Sequence, residues 1–132
     1  MARVRGKDTG PEVAVRRLLH GMGYRFRLHR RDLPGTPDIV LPGRRAVVQV
    51  HGCFWHQHEG CPRARPPATR RDFWLPKLAR NKDRDREAEA RLRDLGWRTL
   101  VVWECELRDR ETLRSRLLSS LECEPTPRPG TP

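Results

Sequence analysis

No stretch of this 132-residue chain is apolar for long enough to cross a bilayer, and no basic helix with a clean apolar face could lie on one. No secretory leader is recognisable either, so no membrane partner is expected and the protein is read as soluble and cytoplasmic. Lysine is scarce, at three of the 28 basic residues, and arginine carries the positive charge. Cysteine is limited to four residues that cluster with histidine, which argues against an oxidised secreted scaffold and for a reducing compartment. There is no internal repeat, and the length fits one domain with a real core. Acidic residues number 17 against the 28 basic ones, a net charge of +11. Such an excess suits a polyanion, because Lys and Arg on phosphates release condensed counterions, and nucleic acid is the first partner to consider.

What is present in unusual density is His51-Gly52-Cys53-Phe54-Trp55-His56-Gln57-His58-Glu59-Gly60-Cys61. Packing does not explain three imidazoles, two thiols and two adjacent aromatics in one short run. Cys53, His58 and Cys61 are spaced so that three side chains can converge on one tetrahedral ion, for which zinc is the expected metal. A structural zinc takes four ligands, so a long-range tie to Cys105 or Cys123 is predicted. Cys105, at the end of an apolar strand, is the stronger candidate. His56 then lies between two ligands, and it reads as a further ligand, a solvated loop residue or a general base.

The chain divides into a basic flexible arm over 1–8, a single domain over 9–123 and a disordered proline-rich tail over 124–132. Thr9-Gly10-Pro11-Glu12 has the form of a capping box, followed by a helix to about Gly21 with Val15, Leu18, Leu19 and Met22 on one face. Tyr24, Phe26 and Leu28 alternate with Arg25, Arg27 and His29 in a strand with one buried and one basic face. After the turn Leu33-Pro34-Gly35-Thr36-Pro37 come strands over Asp38 to Leu41 and Arg44 to Val50, the second leading directly into the Cys/His loop. Thr69-Arg70-Arg71-Asp72 is expected to cap the turn that carries Phe73 and Trp74. A helix is predicted from Pro76 to Leu95, with a stripe of Leu78, Asn81, Asp85, Ala88, Leu92 and Leu95. Two polar residues interrupt that stripe, so Asp85 either pairs with an interior base or reaches an active site. Trp97 to Glu104 forms the last strand, with Trp97 and Trp103 read as core. Asp109 caps a final helix bearing Leu113, Leu117, Leu118 and Leu121.

A Pro-Asp pair entering an apolar strand invites comparison with restriction-type nucleases, in which an aspartate binds a divalent metal. Their second element, acidic-x-Lys on the next strand, is missing, since Gln49-Val50-His51 stands there. The fuller set is more specific. Leu33-Pro34-Gly35-Thr36-Pro37-Asp38, His51-Gly52-Cys53-Phe54-Trp55-His56, Phe73-Trp74, Asn81, Arg84-Asp85-Arg86, Gly96-Trp97-Arg98 and Val102-Trp103-Glu104-Cys105 occur in order over Lys7 to Leu107. In this the chain resembles the very short patch repair (Vsr-type) DNA mismatch endonucleases.

The resemblance implies an α/β, restriction-endonuclease-like core of αβββαβ order, a central mixed sheet flanked by helices, and a structural zinc site. It implies a magnesium-dependent enzyme that nicks double-stranded DNA beside the thymine of a T:G mismatch, working as a monomer on the nucleoid, with mismatch-repair proteins as further partners. By the same likeness Asp38 is the magnesium carboxylate and Val50 offers its main-chain carbonyl to that ion. His56 is the general acid or base, Asp85 orients it, and Glu12 reaches the metal through water. Cys53, His58, Cys61 and Cys105 are the zinc ligands, and Phe54, Trp55 and Trp74 form a wedge inserted beside the mispair. Wedging spreads a duplex at a cost of roughly a few kcal/mol, least at a mismatch. A non-catalytic, zinc-stabilised protein that binds mismatched DNA is the alternative, and it leaves Asp38, Asn81 and Asp85 without a purpose.

Overall fold

Helix, three strands, helix, strand, helix is the order found in the computed structural model, which describes residues 10–65 and 68–122. The expectations for the basic arm, Thr9, Cys123 and the tail lie outside the described residues. Helix α1 (Gly10–Gly21) leads into β1 (Arg27–Leu28), β2 (Ile39–Leu41) and β3 (Ala46–His51), which pair antiparallel in succession. Helix α2 (Arg71–Asp94) carries the chain across to β4 (Arg98–Trp103), parallel to β3, and α3 (Arg110–Glu122) follows. A parallel neighbour cannot be reached by a hairpin, and α2 supplies the crossover. The sheet order is β1-β2-β3-β4, a mixed sheet as expected.

Burial on both faces accounts for the unbroken apolar runs of β2 and β3. Ile39, Leu41, Ala46, Val48, Leu100 and Val102 meet Val15 and Leu19 of α1 and Leu113, Leu117 and Leu121 of α3 in one cluster. Val40 and Val47 turn the other way, to Leu33, Leu92 and Trp97. Each buried leucine or isoleucine contributes roughly 1.5–3 kcal/mol, so this layering holds strands too short to persist alone. At β4, the last strand of the sheet, Arg116 donates to the Val101 carbonyl at 2.9 Å and Glu106 accepts from the Trp103 amide at 2.9 Å. Main-chain groups that an added strand would use are thereby occupied.

Local departures from expectation have physical causes. Helix α2 starts at Arg71 rather than Pro76, and its N-cap Arg70 sits at φ 55° with no side-chain cap, so the predicted Thr69–Asp72 cap does not form. Pro76 lies inside the helix near its start, where the missing N–H forfeits a single bond to the Asp72 carbonyl. Leu95, 51% exposed, falls just beyond α2, where Gly96 at φ 90° turns the chain away. Leu118 is 41% exposed and Leu28 38% exposed, so neither joins the buried face predicted for it. Pro42–Arg44 winds into a 3-10 turn, which delays β3 to Ala46. The predicted 24–29 strand shortens to Arg27–Leu28; Tyr24 and Phe26 ahead of it pack on the core as alternation predicts, but the phase is lost from the exposed Leu28 to His29, whose φ is 47°.

One close approach seats the second strand against α2. Gly35 lies at φ 74°, and a β-carbon there would stand 2.7 Å from that of Ala88. Gly35→Ala is expected to cost roughly 2–4 kcal/mol, since backbone strain and overpacking add. Urea unfolding measures this directly. A wild-type midpoint would mean that the Leu33–Pro37 turn is not seated on α2.

Candidate active site and metal cluster

Parallel pairing of β3 and β4 runs in register to a last pair, His51 with Trp103. Each strand then places a cysteine two residues on, Cys53 and Cys105, and the turns after Cys53 return His58 and Cys61 to the same point. Those turns are closed by main-chain bonds from His56 to Gly52 (3.1 Å), from His58 to Cys53 (3.0 Å) and from Cys61 to His58 (3.3 Å). Gln57, at φ 49°, donates its side-chain amide to the carbonyls of Phe54 (2.7 Å) and Ala64 (2.9 Å). Donor atoms of Cys53, His58, Cys61 and Cys105 all lie within 4.8 Å of one another. His58 Nδ1 and Cys105 Sγ are 3.5 Å apart, the edge length of a tetrahedron with metal–sulfur and metal–nitrogen bonds of about 2.3 and 2.0 Å. The three cysteines are unbridged, and burial pushes the Cys53 thiol up to about 12, so a cation is what would make it a thiolate. This donor set fits zinc. Trp103 is half-buried rather than core, because its ring stacks on His58 at 4.1 Å.

The polar interruptions of the α2 stripe belong to the same loop. Asn81 donates to the Trp55 carbonyl at 3.2 Å, and one turn on, Asp85 Oδ2 faces His56 Nδ1 at 2.5 Å. One helix face thus fixes two consecutive loop residues. The His56 ring also stacks on His51, parallel to within 6° at 3.8 Å. Burial, reinforced by the neighbouring His56 charge and opposed by Asp85, brings His51 down to about 4 and keeps it neutral at pH 7.

Two carboxylates come from the other side of the groove. Glu12, only 2% exposed, projects from α1, and its Oε2 is held by Arg16 and by His29 Nε2, the latter at 2.7 Å. Asp38, at the mouth of β2, accepts the Val50 amide on Oδ2 at 2.8 Å, and its own amide points to Gln49 Oε1 at 3.3 Å. Ligand atoms of Glu12, His29 and Asp38 all lie within 4.8 Å of one another. Asp38 is raised from 3.8 to about 6, mainly by burial; the Glu12 charge adds to this, while the Val50 amide and the two histidines oppose it. A buried, electron-rich carboxylate pair of this kind fits a hard divalent cation that keeps part of its water shell.

An aromatic wall flanks the acids. Trp74 meets Phe54, Trp55 and Phe73 at ring-centre distances of 5.5, 5.8 and 5.0 Å. Phe73, 46% exposed, is the outermost, with Arg70 over its ring at 4.9 Å and Lys77 between it and Trp55.

Every residue singled out from the sequence for the reaction, Glu12, Asp38, Val50, His56 and Asp85, lines a single groove with Phe54, Trp55 and Trp74, and the four predicted zinc ligands form one cluster beside it. Two groove residues, His51 and His29, have no role legible in the sequence, and Phe73, which packs on Trp74 at the groove's aromatic wall, carries only a motif there. His51 belongs to the Cys/His run without a distinct function, and alternation places His29 on the basic face, because no local pattern signals the left-handed turn that brings it inward.

The mixed four-stranded sheet with its flanking helices has a restriction- and homing-endonuclease-like architecture. The catalytic domain of the homing endonuclease I-Bth0305I aligns over 85% of this chain and 93% of its own, with a TM-score of 0.56 and 18% identity, a likeness of fold alone. Sequence narrows the class. The profile of "DNA mismatch endonuclease Vsr" matches residues 1–63. The type II nicking enzyme V.XorIIP of Xanthomonas oryzae pv. oryzae is 57% identical over 122 residues, 92% of this chain and 89% of that protein. The DNA mismatch endonuclease Vsr of Escherichia coli K12 is 46% identical over 119 residues, 90% of this chain and 76% of the relative. The chain therefore belongs to the Vsr family of DNA mismatch endonucleases.

Proposed function

We propose that this protein nicks one strand of double-stranded DNA beside the thymine of a T:G mismatch, opening very short patch repair, with magnesium at the acids and zinc in the Cys/His cluster. The observation that carries the reading is the His56–Asp85 pair, which shares a groove with the buried Asp38 and Glu12. Committing Nδ1 of His56 to Asp85 leaves Nε2 for the proton of the attacking water or of the leaving oxygen. Asp38 and the Val50 carbonyl would hold magnesium, with Glu12 acting on its water shell; when bound, the ion supplies charge stabilisation at the phosphate. Cys53, His58, Cys61 and Cys105 would hold zinc, which fixes the loop bearing His56 and takes no part in hydrolysis. Phe54, Trp55 and Trp74 wedge the mispair, and the net charge of +11 grips the backbone. A single cut on one strand needs one such site, so a monomer suffices.

A strand-resolved assay on labelled T:G and T:A duplexes, with and without magnesium, tests this. Magnesium-dependent cleavage confined to the thymine strand of the T:G duplex is expected. Selective binding without a nick would leave a non-catalytic mismatch-binding protein. Cleavage indifferent to the mismatch would remove the repair role and keep the nuclease.

A further inference from the structure

His29 ties the two acids of the groove together. Its ring meets Glu12 at 2.7 Å, and its main-chain N–H donates to the Asp38 carbonyl at 3.1 Å. Facing a carboxylate, Nε2 must carry a proton in either protonation state of the ring, so it is the donor. Arg16, one turn along the same helix, also bonds Glu12 and brings compensating charge. The connection is made at a backbone cost. His29 sits at φ 47°, a region that non-glycine residues occupy at an expense surrounding structure must offset. Without that turn, strand alternation would point the ring away from Glu12.

We propose that His29 is a positioning residue for the cleavage reaction, a strut that sets the Glu12 carboxylate at its working distance from Asp38. This rests on the reading of the groove as a metal-dependent nuclease site. Val15 and Leu19 pack α1 against Ile39 and Leu41 and so set the helix on β2, while the Glu12 carboxylate stands at the end of a rotatable side chain whose position is fixed by the bonds it makes, that of His29 among them. A displacement of the order of 1 Å in such a site is worth about 100-fold in rate.

The test compares His29→Leu, His29→Gln, Glu12→Gln and the double variant Glu12→Gln/His29→Leu on whichever duplex the wild type nicks. His29→Leu is expected to lower kcat by about 30- to 100-fold. KM, and DNA affinity in metal-free buffer, should not change. His29→Gln carries an amide N–H near the position of Nε2 and is expected to recover to within about threefold of wild type. The double variant should be no slower than Glu12→Gln alone, because residues acting through one another do not lose rate independently. A second readout needs no metal and no DNA. The His29 Nε2–H resonance should be protected from exchange in the wild-type protein and lost in Glu12→Ala, which leaves no acceptor there.

Undiminished kcat in His29→Leu, multiplicative losses in the double variant, or a defect confined to DNA affinity would each overturn the proposal. Should His29→Leu not fold, His29→Gln and the ring resonance decide: a Gln variant slower by tenfold or more, or a resonance unaffected by Glu12→Ala, overturns it. A wild-type protein that nicks no duplex overturns the nuclease reading and this proposal with it, whereas nicking that ignores His29 overturns this proposal alone.

Discussion

Asp38→Asn is expected to abolish nicking, by at least about 1000-fold, and at the same time to make the metal-free protein more stable at pH 8. The loss of rate follows from losing the anionic ligand: charge stabilisation at the phosphate is worth several kcal/mol, and each 1.36 kcal/mol is tenfold. The gain in stability follows from the environment of Asp38. Its carboxyl is raised from 3.8 to about 6, mainly by burial and then by the charge on Glu12. A carboxyl raised on folding keeps a proton that the unfolded chain has already released. Stability therefore falls as pH rises from about 4 to about 6, and remains reduced above that window. The penalty in ionising Asp38 is on the order of 2–3 kcal/mol. Asparagine, which still accepts the Val50 amide and carries no charge, escapes it. The difference between the two proteins should vanish below pH 4 and open toward pH 8, as measured by urea unfolding in chelator. An Asp38→Asn protein less stable than wild type at pH 8 would mean that the carboxylate is not under strain, and a variant that still nicks would take Asp38 out of the reaction.

Cys105→Ala is expected to do the reverse, losing fold and activity together. Removing one of four ligands leaves a site that cannot close around a structural ion, and ion binding of this kind is itself folding free energy. A loss of about 3 kcal/mol or more is expected, with a fall in Tm of at least about 10 °C. Zinc content, expected at one ion per wild-type chain, should drop in the variant. Wild-type melting combined with a full zinc complement in Cys105→Ala would defeat the clamp. The two substitutions would separate the proposed metals: one is expected to remove chemistry from a sound fold, the other to remove the platform that carries His56.

Much of this arrangement was legible in the sequence. The helical stripe through Leu78, Asn81, Asp85, Ala88 and Leu92 gave both the face of α2 and its two polar exceptions, and those exceptions bond Trp55 and His56. The run Val47–Val50 led directly to the loop, so the loop's place at a strand end was readable as well. What escaped reading depends on contacts distant in sequence or on single backbone dihedrals. Periodicity assumes a uniform backbone, and one left-handed residue, His29, reverses which face its ring meets. Leu95 and Leu118 fit the period of their helices but stand where no neighbouring layer covers them. Pro76 looked like a first helical residue because its ring suits that place, yet tertiary packing of Phe73 and Trp74 extends the helix ahead of it.

The matched ends of β3 and β4 carry a consequence for how the chain reaches this state. Side chains alternate along a strand, so a slip of one residue between the two would move Cys105 by roughly 3.3 Å and turn it to the opposite face. An ion held by Cys53 and Cys105 would then be lost. Metal capture at this cluster would thus discriminate between alignments of two segments that the whole α2 crossover keeps apart, and would reward only the native one. Such distant parallel pairings form slowly. In a refolding experiment, zinc uptake should mark the completion of the crossover rather than its nucleation.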